Sequence, residues 1–186
     1  MLDVFTIAFW IKFIELPVGE NINQQIFWWP YLHHSPAYFL SIYYRGSSDS
    51  FNFYFKTNDG GYCETQISSG TLSKDTWYHI VCIANGIGAR ANIYCNTTKY
   101  TSYTDQLDNI LRPPADALYI GYWNSVVEVV EANAIIDDVG IWHRALTEPE
   151  VISLYNNGDG LTYPFDGTQE SFVHLDTPII LKFGIT

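Results

Sequence analysis

The stretch from Ala134 to Phe165 constrains this chain more than any other. A β-branched run carrying two acidic residues, Ile135-Ile136-Asp137-Asp138-Val139-Gly140-Ile141-Trp142, passes into His143-Arg144-Ala145-Leu146. Thr147-Glu148-Pro149-Glu150-Val151-Ile152-Ser153-Leu154-Tyr155 then reads as a short capped helix that stops at Asn156-Asn157-Gly158. One strand followed by one small helix, near the end of a strand-rich chain, admits few architectures.

The remainder is written in strands. Phe5 to Phe13 is apolar on both faces, as expected inside a sandwich. Tyr38 to Arg45 and Phe51 to Lys56 flank the turn-forming Gly46-Ser47-Ser48-Asp49-Ser50, and Asn58-Asp59-Gly60-Gly61 leads into Tyr62 to Ile67. Trp77 to Ala84, Ala91 to Cys95, Ala117 to Tyr122 and Ala134 to Trp142 complete the series. Fourteen Tyr, eleven Phe and six Trp supply the rings that such pleated, half-buried surfaces favour. The expected fold is all-β, a two-sheet antiparallel jelly-roll sandwich with one short helix near the C-terminus. No repeat or linker divides it, so residues 1–165 form one domain and residues 166–186 a tail.

Five pieces recur in the order found in laminin G-like, concanavalin A-like jelly rolls. Here they are Phe5-Thr6-Ile7-Ala8-Phe9-Trp10, Trp77-Tyr78-His79-Ile80-Val81-Cys82, Ile93-Tyr94, Leu118-Tyr119-Ile120-Gly121 and Ile136-Asp137-Asp138 with the helix behind it. The chain resembles that family over roughly residues 4–165. The resemblance implies a sandwich that binds rather than catalyses. Three departures stand out. The strand usually preceding the opening one is missing, the family's Asp-Gly turn is Asn96-Thr97, and its closing-strand Arg is Gly140.

Charge narrows the partners. A formal net charge of −11 with no basic stripe argues against nucleic acid, whose phosphates need Lys and Arg. The apolar runs are too short and too alternating to span a bilayer. The chain opens Met1-Leu2-Asp3-Val4, without the pattern of a secretory signal. The expectation is an extracellular or virion-surface domain, displayed on a particle or excised from a larger secreted polypeptide.

Catalytic patterns are missing. Glycosidases of this fold carry Glu-x-Asp-x-x-Glu on one strand, and no such string occurs here. Tyr54-Phe55-Lys56 resembles part of an alginate-lyase string whose companions are absent. The domain is therefore expected not to be an enzyme.

Binding candidates are clearer. Phe27-Trp28-Trp29-Pro30-Tyr31-Leu32-His33-His34 is a dense aromatic cluster, and aromatic rings with polar handles suit sugars and protein interfaces alike. Trp28, Trp29, Tyr31 and His33, with Trp123 and Asn124 as a second group, are the candidate carbohydrate-binding residues; a strand with its rings in the core is the competing reading. Alternation puts Asp137 and Asp138 on opposite faces, sending one carboxylate toward the core. The resemblance implies that Asp137 is either a structural hydrogen-bond acceptor or a calcium ligand, with Asp138 as a candidate co-ligand.

Two expectations concern packing. A hairpin around Gly86-Ile87-Gly88 that pairs Ala84 with Ile93 sets Cys82 opposite Cys95, open to a cross-strand disulfide or to two small core residues. Ser171 to Leu175 and Pro178 to Phe183 are apolar enough to fill the vacant sheet edge or to pair with a neighbouring chain. The expected partner is thus a glycan or a neighbouring protein subunit, with homo-oligomerisation an open alternative.

Overall fold

The computed structural model describes residues 4–30, 38–57, 61–86, 88, 90–101, 118–124 and 129–161. Strands β1 (Val4–Phe13), β2 (Asn23–Pro30), β3 (Tyr38–Arg45), β4 (Ser50–Lys56), β5 (Tyr62–Ile67) and β6 (Trp77–Asn85) come first. β7 (Asn92–Cys95), β8 (Thr98–Thr101), β9 (Tyr119–Ile120), β10 (Tyr122–Asn124), β11 (Val129–Glu131) and β12 (Ala134–Trp142) follow, then helix α1 (Glu148–Tyr155). One five-stranded sheet has the order β12-β1-β6-β7-β8 and the other β5-β4-β3-β2-β9, with β10 and β11 as a separate hairpin. All pairings between these strands are antiparallel. This is the expected jelly-roll-like sandwich.

Period-two alternation fills the space between the sheets. Phe5, Ile7, Phe9, Ile11 and Phe13 of β1 face Phe51, Phe53 and Phe55 of β4 and Leu40, Ile42 and Tyr44 of β3 in one buried cluster. Their rings meet edge-on or tilted: Phe9 lies 4.8 Å from Phe27, Phe5 6.1 Å from Phe53, and Phe13 6.4 Å from Phe51. Such geometry follows from the ring quadrupole.

β1 is apolar on its other face too, because α1 covers it. Ala8, Val81, Ile83, Tyr94, Trp142, Leu146 and Val151 form a second buried cluster outside the first sheet. The helix is capped by Glu150, whose Oε2 accepts from both Thr147 N, at 2.7 Å, and Thr147 Oγ1, at 2.9 Å. Arg144 grips the same carboxylate with two bonds of 2.9 and 2.7 Å, and it holds that carboxyl down to about 2. Gly140, standing where the family has Arg, is explained by Trp142: a Cβ on Gly140 would lie 2.2 Å from the indole ring.

Two expectations change. β6 and β7 pair Cys82 with Ile93 and Ile80 with Cys95, a register two residues from the one expected. A two-residue slip keeps both sulfurs on the core face, and Cys63, Cys82 and Cys95 are all free and buried. The small-core-residue reading stands. The Asn96-Thr97 turn joins β7 to β8 with Asn96 left-handed at φ 55°. Finally, neither Asp137 nor Asp138 points into the core. β12 carries an extra residue against β1 between Gly140 and Asp137, and this bulge ends the alternation that would have buried one carboxylate. Asp138 sits in it at φ 47°, and both residues are exposed. Among the described residues β12 is an edge of its sheet, paired to β1; the tail expected to fill that edge lies outside the described residues.

Candidate functional site

On the outer face of the first sheet, beyond the end of α1, the strands bring two indoles together. Trp10 of β1 is paired with His79 of β6, and the neighbouring pair is Lys12 with Trp77. Both Trp residues point away from the phenylalanine core because they occupy the alternate positions of their strands. Lys12 Nζ lies 5.1 Å from the centroid of the Trp77 ring.

The helix end positions Trp10. Tyr155, in the last turn of α1, stacks on the Trp10 indole with centroids 5.9 Å apart and planes 22° apart. His79 lies 5.2 Å from the same indole and 6.3 Å from Tyr155. Beyond the helix the chain turns back through left-handed Asn156 and Asn157. Gly160, at φ +70°, passes so close that a Cβ there would sit 3.0 Å from Trp10 Nε1. That approach, on a backbone conformation side chains resist, requires glycine.

Opposite the helix end stands the β12 bulge. Register sets Asp137 beside Trp10, and Asp137 Oδ1 accepts the Asp138 backbone N–H at 2.9 Å. Trp10, Trp77, Asp137, Asp138, Gly158 and Asp159 together line an open cleft of about 250 Å³. Two indoles and three carboxylates are among its lining. Partial desolvation, and then the Asp137 charge, raise the Asp138 carboxyl above its ordinary value. Burial alone drives the His79 imidazole down to about 4, and its Nδ1 has no hydrogen-bond partner among the described residues.

Calcium takes six to eight oxygens, backbone carbonyls and waters among them; among the described residues no group of three His, Cys, Asp or Glu side chains converges on one point.

The aromatic cluster singled out in the sequence divides between faces. Trp29 is 6% exposed and belongs to the core, so it is unavailable to a ligand. Alternation turns Trp28 outward on the second sheet, 5.3 Å from Tyr119. Several polar groups on that face bond one another. Gln25 donates to Ser41 Oγ at 2.9 Å and to the Ile42 carbonyl at 3.1 Å, while Tyr43 and Arg45 both bond Glu64 Oε1, at 3.1 and 2.9 Å. Tyr31 and His33 lie outside the described residues. For Trp123 and Asn124 only the backbone is described, paired with Val130 and Val129.

Sequence reasoning used Trp10 and Trp77 as markers of the fold and passed over Asp159 altogether. The signal for the first two was present: each alternates with residues committed to the core.

Among the described residues no helix is long and apolar enough to cross a membrane. No curated protein matches the chain in sequence. Solved structures do match it in shape. The receptor-binding domain of botulinum neurotoxin type G superposes with a TM-score of 0.58 at 18% identity, covering 84% of this chain and 38% of that one. The binding domain of botulinum neurotoxin DC, in complex with SialylT, gives 0.58 at 16% identity, with coverages of 84% and 36%. A Trypanosoma rangeli sialidase, in complex with a difluoro-KDN, gives 0.60 at 15% identity, with coverages of 85% and 23%. The chain therefore spans well under half the length of each, and at such identities the likeness establishes the fold alone. In sequence, a laminin G-type model of the concanavalin A-like lectin/glucanases superfamily matches residues 2–152, and the chain belongs to that superfamily.

Proposed function

We propose that this is a non-catalytic carbohydrate-recognition domain that works outside the cell or on a virion surface, with its ligand held in the Trp10–Trp77 cleft. One observation carries the reading. Two indoles and three carboxylates line a single open cleft of about 250 Å³. A pyranose presents an apolar C–H face that stacks on indole and a hydroxyl rim that donates to carboxylate. The volume lies just below the roughly 300–1,000 Å³ of drug-sized pockets and suits a ligand of one or two sugar rings.

Support also comes from relatives in shape: a toxin binding domain was solved with SialylT, and a sialidase with a difluoro-KDN. The non-catalytic part rests on the sequence, in which the Glu-x-Asp-x-x-Glu strand of this fold's glycosidases does not occur.

A second reading, a protein–protein interaction module, is favoured by Ile135 and Val139, which are 44% and 41% exposed on edge strand β12. A glycan array followed by tryptophan-fluorescence titration separates the two. Recognition in the cleft predicts glycan binding that is lost in Trp77→Ala and retained in Trp28→Ala. Trp77 is 38% exposed, so its removal leaves the core intact. Absence of any glycan hit, together with self-association abolished by Ile135→Lys, supports the second reading. Cleavage of a bound oligosaccharide overturns the non-catalytic assignment.

A further inference from the structure

Resting on the carbohydrate reading, we propose that the cleft selects a sugar bearing a free, protonated amine, a hexosamine unit, over its N-acetylated counterpart and over sialylated or uronic sugars. The argument starts from the lining. Asp137, Asp138 and Asp159 are acceptors only when ionised, and no Lys or Arg joins them around the cavity. Lys12, on the same face, lies over the Trp77 ring. A sugar carboxylate entering here meets three like charges, and a chain of net charge −11 offers it no compensating field.

An ammonium meets the opposite situation. It has three N–H donors for carboxylate oxygens, and the face of an indole attracts it through the ring quadrupole. Asp137 and Asp138 are adjacent on the bulge, and the Asp137 charge adds to partial desolvation in raising the Asp138 carboxyl. A cation placed between them relieves a repulsion the empty cleft already carries. Acetylation removes that charge, adds bulk, and leaves only stacking and hydroxyl bonds. Trp10 is braced for the stacking role, with Tyr155 against one side and Gly160 at its Nε1 edge.

The test is calorimetric titration of the intact chain with four probes: a glucosamine trimer, the N-acetylglucosamine trimer, sialyllactose and choline. The expected result is a glucosamine trimer bound roughly tenfold more tightly than its acetylated form, as charge-assisted bonds allow. That preference shrinks with added salt, and as pH rises through the sugar amine's own titration, whereas acetylated binding does not change. Asp137→Asn with Asp138→Asn removes the preference and keeps the residual stacking affinity; both positions are exposed, and Asn tolerates the left-handed conformation at 138. Equal binding of the two trimers, or tighter binding of sialyllactose, overturns the inference and leaves carbohydrate recognition standing. Choline bound as tightly as the glucosamine trimer overturns the sugar assignment and leaves an ammonium site. Glucosamine-trimer binding unchanged in Trp77→Ala and in the double Asp variant is surface adsorption, and it overturns this inference together with the proposed function.

Discussion

The Thr6 hydroxyl joins residues at opposite ends of the chain: it donates to the Arg144 carbonyl at 2.8 Å and accepts the Leu146 N–H at 3.0 Å. Thr6 is fully buried on the outer face of β1, and Leu146 is buried beside it. Those two bonds place the Arg144-Ala145-Leu146 turn against the sheet, and α1 starts from that turn. The position of the helix fixes Tyr155, and Tyr155 braces Trp10. A hydroxyl in the opening strand thus bears on the shape of the cleft.

Replacing Thr6 by Val keeps the shape of the side chain and strands the Leu146 N–H in a buried site. The cost is expected at about 2–3 kcal/mol, since the penalty for an unpaired buried donor adds to the lost bonds. Thr6→Ser keeps both bonds and loses only a methyl. Urea denaturation of the two variants checks this; equal losses mean that packing, not the hydroxyl, matters at this position.

Strand identity was legible because alternation and turn residues agree along β1, β3, β4, β5, β6 and β12. The cleft was not, for three physical reasons. Trp10 and Trp77 occupy the outward positions of their strands, and whether an outward ring is covered depends on where a helix some 140 residues later comes to rest, as the Thr6–Leu146 bond records. The bulge at Asp138 interrupts the period-two rule that the acidic pair had been read with. The Cys82–Cys95 register slipped by two residues, a shift that leaves every side chain on its own face and so cannot be seen in the pattern. Trp28-Trp29 shows the converse: where a strand is regular, adjacent rings face opposite ways, and these two do, so they form no common platform.

Gly140 and Trp142 are expected to be coupled. A methyl group at 140 would fall 2.2 Å from the Trp142 ring, and the ring is buried between Ala8, Leu146 and Val151 with little room to move. Gly140→Ala should cost about 1–3 kcal/mol by overpacking. The same substitution in a Trp142→Leu background should cost much less. Additive losses in that double-mutant cycle refute the contact as the cause.

Asp137 and Asp138 should prove indifferent to divalent cations. Asp137→Asn exchanges one acceptor for another toward the Asp138 N–H, so the melting temperature should change by no more than the roughly 0.5 kcal/mol typical of surface positions. Calcium or a chelator should leave both the parent and the variant where they are. A calcium-dependent rise in the parent that is lost in Asp137→Asn would establish a cation site with ligands beyond those described.

Cys82 and Cys95 should be unreactive in the folded protein. Cys82 is fully buried, and burial pushes its thiol well above the ordinary value; Cys95 is raised to about 11 by the same cause. Thiolate is the reactive form. Native protein should therefore resist alkylation at these two positions at neutral pH, three free thiols should appear by mass after unfolding, and a reductant should not shift the melting temperature. A mass two hydrogens lower would restore the disulfide.

His79 makes stability depend on pH in a window that its environment defines. The ring is 3% exposed, lies against both Trp10 and Tyr155, and has an Nδ1 without a partner among the described residues. Its backbone N–H donates to Asn96 Oδ1 at 3.0 Å, and no charged group is among the causes of its shift, which is desolvation alone. In the unfolded chain the imidazole titrates near 6.5; folded, it titrates at about 4. Above 6.5 it is neutral in both states and contributes nothing to the pH slope. Between 6.5 and 4 the unfolded chain takes up a proton that the folded chain refuses, so stability falls as the solution is acidified, by about 3 kcal/mol at most. Below about 4 both states are protonated and this group's loss is complete. Urea midpoints measured from pH 7.5 downward should therefore fall less steeply in His79→Phe, which keeps the aromatic stack and removes the titration. The four other histidines are common to both proteins and cancel in the comparison. Parallel slopes would mean that acid opens the fold elsewhere and that the imidazole is solvated enough to charge in place.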